Sequence, residues 1–78
     1  MNDLLLNINK IHSTEMGIER IKKNLNLTTK DVISYCRQII LDKKCNIYKN
    51  GKNWYCKKDN IIITINSNSY TIITAHII

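Results

Sequence analysis

The chain has 78 residues, and its twelve Lys and Arg against six Asp and Glu give a formal charge of +6 at pH 7. This length allows a single domain over residues 1–78 with one modest core, and a hydrophobic content of 44% argues against a disordered chain. No segment approaches the roughly 20 apolar residues of a membrane span, and an acid stands where a signal peptide carries a base, so we expect a cytoplasmic protein that does not bind a membrane.

Helical periodicity predicts three helices in the first half of the chain, because apolar residues recur there every three or four positions. The predicted helices span residues 3–12, 14–25 and 28–43. Ser13 or Thr14 is placed to cap the second helix. Thr28 followed by Asp31 resembles a capping box, which predicts that the third helix opens at Thr28.

From residue 45 onward the apolar period becomes that of strands, and the predicted strands span residues 45–49, 52–58, 60–66 and 69–77. Asn50-Gly51 is the strongest short hairpin signal, because both central residues of a type I′ turn need positive φ. A two-residue loop there pairs Ile47 with Trp54. The expected fold class is α+β, with two or three N-terminal helices packed on one face of a four-stranded antiparallel meander.

The register of the last hairpin decides which of its side chains face the helices, because a one-residue slip exchanges the two faces. A two-residue loop pairs Ile65 with Tyr70 and turns His76 toward the helices. An odd loop or a bulge near Ser67 turns His76 away from them, and we choose it because it makes one face almost wholly apolar. The inward residues are then Ile61, Ile63, Ile65, Ile73, Ala75 and Ile77. The outward residues are Ile62, Thr64, Asn66, Tyr70, Ile72, Thr74 and His76.

The sheet face turned away from the helices is predicted to bind RNA. Tyr rings offer surfaces for stacking bases and Lys side chains offer cations for phosphate, and a net charge of +6 favours a polyanionic partner. Tyr is also frequent on half-exposed strands for packing reasons alone. The residues predicted to bind nucleic acid or a partner protein are Tyr48, Lys52, Tyr55, Lys57, Asn66, Tyr70 and Thr74.

The two histidines of the chain, His12 and His76, together with Arg20 form a hypothetical catalytic set. Metal-independent RNA cleavage needs a base, an acid and a cation near the phosphate, and these three side chains supply them. The alternative is that each His has a structural role. No cofactor is expected, and the three cysteines lack the ligand spacing of a zinc site.

Two other interpretations of the basic surface stay open. A non-catalytic inhibitor or adaptor, such as a phage-type anti-defence protein, would use it to bind a nucleic-acid enzyme. A homodimer formed through an exposed edge strand is compatible with either function.

Three segments carry a family resemblance: the run from His12 to Leu25, Gly51-Lys-Asn-Trp-Tyr55, and Ser69-Tyr-Thr-Ile-Ile-Thr-Ala-His76. They resemble a family of short bacterial and phage proteins catalogued as a domain of unknown function (family 3781), which implies no particular activity. The order of helices followed by a meander resembles the topology of the barnase–EndoU–colicin–RelE group of small ribonucleases. That likeness implies RNA cleavage only as an expectation, because one fold hosts many functions.

Overall fold

The computed structural model of the protein describes residues 3–78. The helical elements are α1 (Asp3–Leu6), a 3₁₀ turn (Ile8–Lys10), α2 (Glu15–Leu25) and α3 (Val32–Leu41). The strands are β1 (Asn46–Asn50), β2 (Asn53–Lys58), β3 (Ile61–Asn66) and β4 (Ile72–Ile77). They form one antiparallel sheet in the order β1-β2-β3-β4. This confirms the predicted α+β class, with three helices followed by a four-stranded meander. None of the helices in residues 3–78 is long and apolar enough to cross a membrane.

The first helix is shorter than the predicted range of 3–12. It is interrupted at Asn7, whose side-chain amide donates to the Asp3 carbonyl at 2.8 Å. Asn side chains compete in this way with regular helical hydrogen bonding. After the 3₁₀ turn, Ile11 is extended with φ −63° and ψ 131°, and His12 forms a parallel bridge with Thr71 beside β4.

Helix α2 begins at one of the two predicted caps. The Thr14 hydroxyl accepts a hydrogen bond from the Gly17 N–H at 3.0 Å, which satisfies one of the free donors of the first turn. Asn26 ends the helix in the left-handed conformation with φ 55°. Ile21 and Leu25 are buried beneath the helix.

Helix α3 does not open at Thr28, so the predicted capping box is wrong. Asp31 is the N-cap, and its carboxylate accepts from the Ser34 N–H at 3.0 Å and from the Ser34 hydroxyl at 2.9 Å. One carboxylate thus receives two bonds from a single residue. The Thr29 hydroxyl in turn accepts from the Asp31 N–H at 3.3 Å.

The first hairpin turns one residue later than predicted. Asn50 pairs with Asn53, so the turn consists of Gly51 and Lys52. Gly51 has φ +62° and Lys52 lacks a positive φ, the pattern of a type II′ turn with Gly at its first central position. The predicted pairing of Ile47 with Trp54 is therefore wrong. The observed pairs are Ile47 with Cys56 and Lys49 with Trp54, and because the shift is two residues, each side chain keeps its predicted face.

A bulge in the last hairpin confirms part of the predicted register and corrects the rest. Ile65 pairs with Ile72 but Thr64 pairs with Thr74, so Ile73 is an extra residue. Ile72 is consequently 2% exposed and Ile73 is 48% exposed, the reverse of the prediction. Beyond the bulge the alternation returns, and His76 lies on the outward side as expected.

The helices cover one face of the sheet. The core joins that face to all three helices and consists of Leu4, Ile11, Ile21, Leu25, Val32, Cys36, Ile39, Ile40, Trp54, Cys56, Ile63, Ile65, Ile72 and Ala75. The C-terminal end of α3 is also tied to the sheet, because the Lys58 ammonium lies 2.9 Å from the Asp42 carboxylate. The opposite side of the sheet is here called the open face.

Candidate functional site

The strand register aligns the side chains of the open face in three rows, since directly paired residues share a face. The basic row contains Asn46, Lys57, Ile62 and His76. The aromatic row contains Tyr48, Tyr55, Thr64 and Thr74. The amide row contains Asn50, Asn53 and Asn66.

Two stacked tyrosines form one end of the aromatic row. The ring centroids of Tyr48 and Tyr55 are 5.4 Å apart, with 19° between the ring planes. Tyr48 is 45% exposed and Tyr55 is half-buried. Thr64, the next residue in the row, is only 8% exposed, so the two tyrosines are the more accessible members of this part of the row.

Positive charge lies on both sides of the aromatic row. Lys57, in the basic row, is exposed, and Lys52 is exposed in the turn beyond the amide row. His76 is also exposed and belongs to the basic row, two strands away from Lys57. At the usual strand spacing the Cα atoms of His76 and Lys57 are about 10 Å apart.

Tyr70 lies in the turn before β4 and not in a row of the open face. Its φ is +58°, an uncommon and strained conformation for an aromatic residue. The ring packs against the core, and the Lys10 ammonium lies 5.8 Å from the ring centroid. The predicted base-stacking residue is therefore engaged within the protein.

His12 lies at the outer edge of β4, where its backbone and side chain are both held. Its N–H donates to the Tyr70 carbonyl at 3.2 Å, and its carbonyl accepts from the Ile72 N–H at 2.8 Å. Its Nε2 is 3.1 Å from the Thr71 hydroxyl, and its Nδ1 is 2.8 Å from the Lys10 carbonyl. Both imidazole nitrogens thus have a partner.

Hydroxyl groups extend this contact toward the amide row. The Thr71 hydroxyl lies 2.8 Å from the Ser69 hydroxyl, and the Ser69 hydroxyl lies 3.2 Å from the Asn66 side-chain oxygen. We call Lys10, His12, Asn66, Ser69 and Thr71 the His12 cluster. Neither Ser69 nor Thr71 is a candidate from the sequence alone, because 59 residues separate Thr71 from His12 and no local pattern pairs them.

The structure does not bring the three hypothetical catalytic residues together. His12 and His76 lie at opposite ends of β4, about 15 Å apart if each strand residue advances a little over 3 Å. Arg20 is exposed on α2. It lines a shallow surface depression together with other side chains of that helix, namely Glu15, Met16, Glu19 and Lys23.

A family model described as "Protein of unknown function (DUF3781)" matches residues 5–76. The chain belongs to this family. No curated protein and no solved structure matches the chain. The match runs from the second half of α1 to His76, and therefore includes both the open face and the His12 cluster. The family description names no activity, so the function of this DUF3781 protein has to be argued from its geometry.

Arg37 supports the His12 cluster of this DUF3781 protein from the helix layer. Its Nη2 lies 3.5 Å from the carbonyl oxygens of both Asn9 and Ile11, the two neighbours of Lys10. Its Nε is buried without a hydrogen-bond partner. The guanidinium thus holds the backbone on both sides of the carbonyl group that orients His12.

The cysteines of the DUF3781 protein lie between the helices and the sheet and are chemically quiet. Burial raises the pKa of the Cys36 thiol to about 11, and burial together with the neighbouring Cys45 raises the pKa of the Cys56 thiol to about 12. Such thiols stay protonated, and the protonated form is neither a nucleophile nor a metal ligand. Among residues 3–78, no three His, Cys, Asp or Glu side chains are grouped to hold a metal ion.

Proposed function

We propose that this DUF3781 protein binds single-stranded RNA across the open face of its sheet. The observation that carries the proposal is the stacked pair of Tyr48 and Tyr55, with ring centroids 5.4 Å apart, on the face that the helices leave uncovered. Bases stack on such rings with little sequence preference. Lys57 and Lys52 on the two sides of the pair are available to the phosphates of a bound strand.

The amide row adds hydrogen-bonding groups next to the tyrosines. The side chains of Asn50 and Asn53 can donate to and accept from exposed base edges. Asn66 has a different role, because its side-chain oxygen already accepts from the N–H groups of Asn68 and Ser69, both at 2.9 Å. We therefore assign Asn66 to the turn and not to the RNA.

The proposal is limited to binding and does not include cleavage. Side chains on one sheet face stand roughly parallel, so the imidazoles of His12 and His76 stay about as far apart as their backbones, about 15 Å. An acid and a base must both reach the same phosphodiester, and this separation prevents it.

Fluorescence anisotropy with a labelled single-stranded oligoribonucleotide tests the stacking role. We expect Tyr55→Leu and Tyr48→Leu each to weaken binding roughly 5- to 150-fold, the range that corresponds to about 1–3 kcal/mol per stacked base. Leu keeps apolar bulk on the strand, so the fold is retained and the loss reports the missing ring. Wild-type protein that binds no RNA at low salt refutes the proposal.

Two lysines of the first hairpin provide a matched pair for the charge term. Lys57→Gln removes a cation from the open face, whereas Lys49→Gln removes one from the helix side, where its ammonium lies 5.8 Å from the Trp54 ring centroid. We expect only Lys57→Gln to reduce the slope of log affinity against log salt, by about 0.7 for one phosphate contact. If both variants reduce the salt slope equally, RNA is attracted by the overall charge of the protein and not by the open face, which contradicts the proposal.

Affinity capture from a lysate separates RNA binding from the adaptor interpretation. Recovery of RNA that is lost on adding salt supports the proposal. Recovery of one stoichiometric protein without RNA favours an inhibitor or adaptor that uses the same face.

A further inference from the structure

The hydrogen bonds of the His12 cluster run in one direction. The Lys10 carbonyl can only accept, so the Nδ1 atom at 2.8 Å from it carries the proton. In the neutral imidazole the lone pair is then on Nε2, and the Thr71 hydroxyl at 3.1 Å must donate to it. The tautomer of His12 is therefore the one that a general base requires.

The Ser69 hydroxyl extends the same chain by one step. The Thr71 oxygen, having given its proton to His12, accepts from Ser69 at 2.8 Å. This contact is shorter than the 3.2 Å from Ser69 to the Asn66 side-chain oxygen. The Ser69 hydroxyl thus donates to Thr71, Thr71 donates to His12, and His12 donates to the Lys10 carbonyl. A hydroxyl that donates its proton in this way gains electron density on its oxygen.

This arrangement matches the signature of an activated nucleophile, in which a hydroxyl lies within hydrogen-bond reach of a base that a third group orients. We propose that Thr71 is a nucleophilic hydroxyl with His12 as its general base, and that it accepts a phosphoryl group from an activated phosphate ester. The phosphoryl class follows from the charge of the site. The Lys10 ammonium lies beside Tyr70, the neighbour of Thr71, and favours an anionic substrate.

The proposed step transfers the phosphoryl group from the leaving oxygen to Thr71. The Thr71 oxygen forms a bond to phosphorus while its proton passes to His12 Nε2. The bond from phosphorus to the leaving oxygen breaks on the side opposite Thr71, so that oxygen takes a proton from water, and His12 returns the proton it received to solvent. The products are phosphorylated Thr71, neutral His12 and a free alcohol.

Arg37 and Tyr70 position the Thr71–His12 pair without touching the substrate. Arg37 holds the carbonyls on both sides of Lys10 and so fixes the group that orients His12. Tyr70, through its left-handed backbone with φ +58°, directs its carbonyl to the His12 N–H at 3.2 Å. The site is reachable, since His12 and Ser69 are exposed and Thr71 is half-buried.

A fluorophosphonate probe tests the nucleophile directly, because it loses fluoride to an activated hydroxyl and leaves a stable adduct. We expect the folded wild-type protein to be labelled at Thr71, as located by peptide mass spectrometry. Thr71→Val and His12→Gln should each lower the labelling rate at least roughly tenfold, as expected for the loss of a nucleophile or its base. Thr71→Ser should keep the labelling, since it keeps the hydroxyl.

Thr28→Val is the matched control, because Thr28 is an exposed threonine in the loop between α2 and α3, outside both the His12 cluster and the open face. It should be labelled at the wild-type rate. Circular dichroism melts establish which variants are folded, and if His12→Gln is not, the comparison of Thr71→Val with Thr71→Ser decides alone. An unlabelled wild type, or equal labelling of folded wild type and Thr71→Val, overturns the proposal. RNA binding by the open face does not depend on either outcome.

Discussion

Cys45 differs from the other two cysteines in its access to solvent. Cys36 and Cys56 are 0% exposed, whereas Cys45 is half-buried at the start of the first hairpin. Burial raises the pKa of all three thiols, so each must ionise before it reacts. We expect iodoacetamide to modify Cys45 first, and Cys36 and Cys56 only after denaturation, with peptide mass spectrometry locating the label.

The denatured chain is the control for this order, since all three thiols should then react at similar rates. Equal labelling of Cys45 and Cys56 in the native protein would mean that β2 opens as readily as the start of β1. That result is incompatible with a sheet in which Cys56 is held between Ile47 and Ile63.

At the scale of elements, the bulge in β4 distinguishes two adjacent isoleucines. Ile72 is 2% exposed and Ile73 is 48% exposed. We expect Ile72→Ala to lower the free energy of unfolding by about 2–5 kcal/mol, as for a buried aliphatic side chain, and Ile73→Ala by less than about 1 kcal/mol. Urea unfolding followed by circular dichroism measures both. Similar losses in the two variants would contradict the bulge.

The sequence could predict the order of elements and an odd loop or bulge in the last hairpin, but not that the bulge lies at Ile73. The helical and strand periods and the Thr14 cap are local patterns, and the structure contains all of them. Ile72 and Ile73 are chemically identical, so no local pattern decides which is buried. The choice depends on His12, whose carbonyl accepts from the Ile72 N–H at 2.8 Å and which is 60 residues earlier in the chain.

The same limit applies to the candidate site. His12 was a candidate because of its chemistry, but its partners Thr71 and Ser69 are ordinary strand and turn residues until the fold places them beside it. The start of the third helix could not be predicted either, because Thr28 and Asp31 are both good caps. The carboxylate of Asp31 is favoured since it accepts two bonds from Ser34.

At the scale of the whole molecule, α3 is held at both ends by aspartates. Ser34 donates two hydrogen bonds to the Asp31 carboxylate, one from its backbone N–H and one, with a smaller effect, from its hydroxyl, and these hold the pKa of Asp31 below its ordinary 3.8. The Lys58 side chain, followed by the Lys44 N–H, lowers the pKa of Asp42 in the same way. The Asp31 contacts fix the start of α3, and the contact of Asp42 with Lys58 joins the end of α3 to β2.

A depressed carboxyl pKa gives a definite sign to the effect of pH. The unfolded chain binds protons near pH 3.8 while the folded chain still resists them, so stability rises with pH in that range. The contribution is complete above the unfolded value and is lost as the pH falls through the folded values. We expect the free energy of unfolding to be flat near neutrality and to decrease below about pH 4. Urea unfolding at a series of pH values measures this.

The variant Asp31→Asn/Asp42→Asn should have a shallower acid limb, because Asn does not titrate. Its loss at neutral pH should be small, because Asn still caps a helix and the solvent-accessible pair of Asp42 and Lys58 contributes little. Glu19→Gln is the control, since it removes one exposed carboxylate of α2 that lies outside both sets of contacts. If the double variant keeps the wild-type acid limb, protonation destabilises the fold at other groups. In that case the attachment of α3 does not depend on pH. A shallower limb in the double variant alone means that acid loosens the attachment of the helix layer to the sheet.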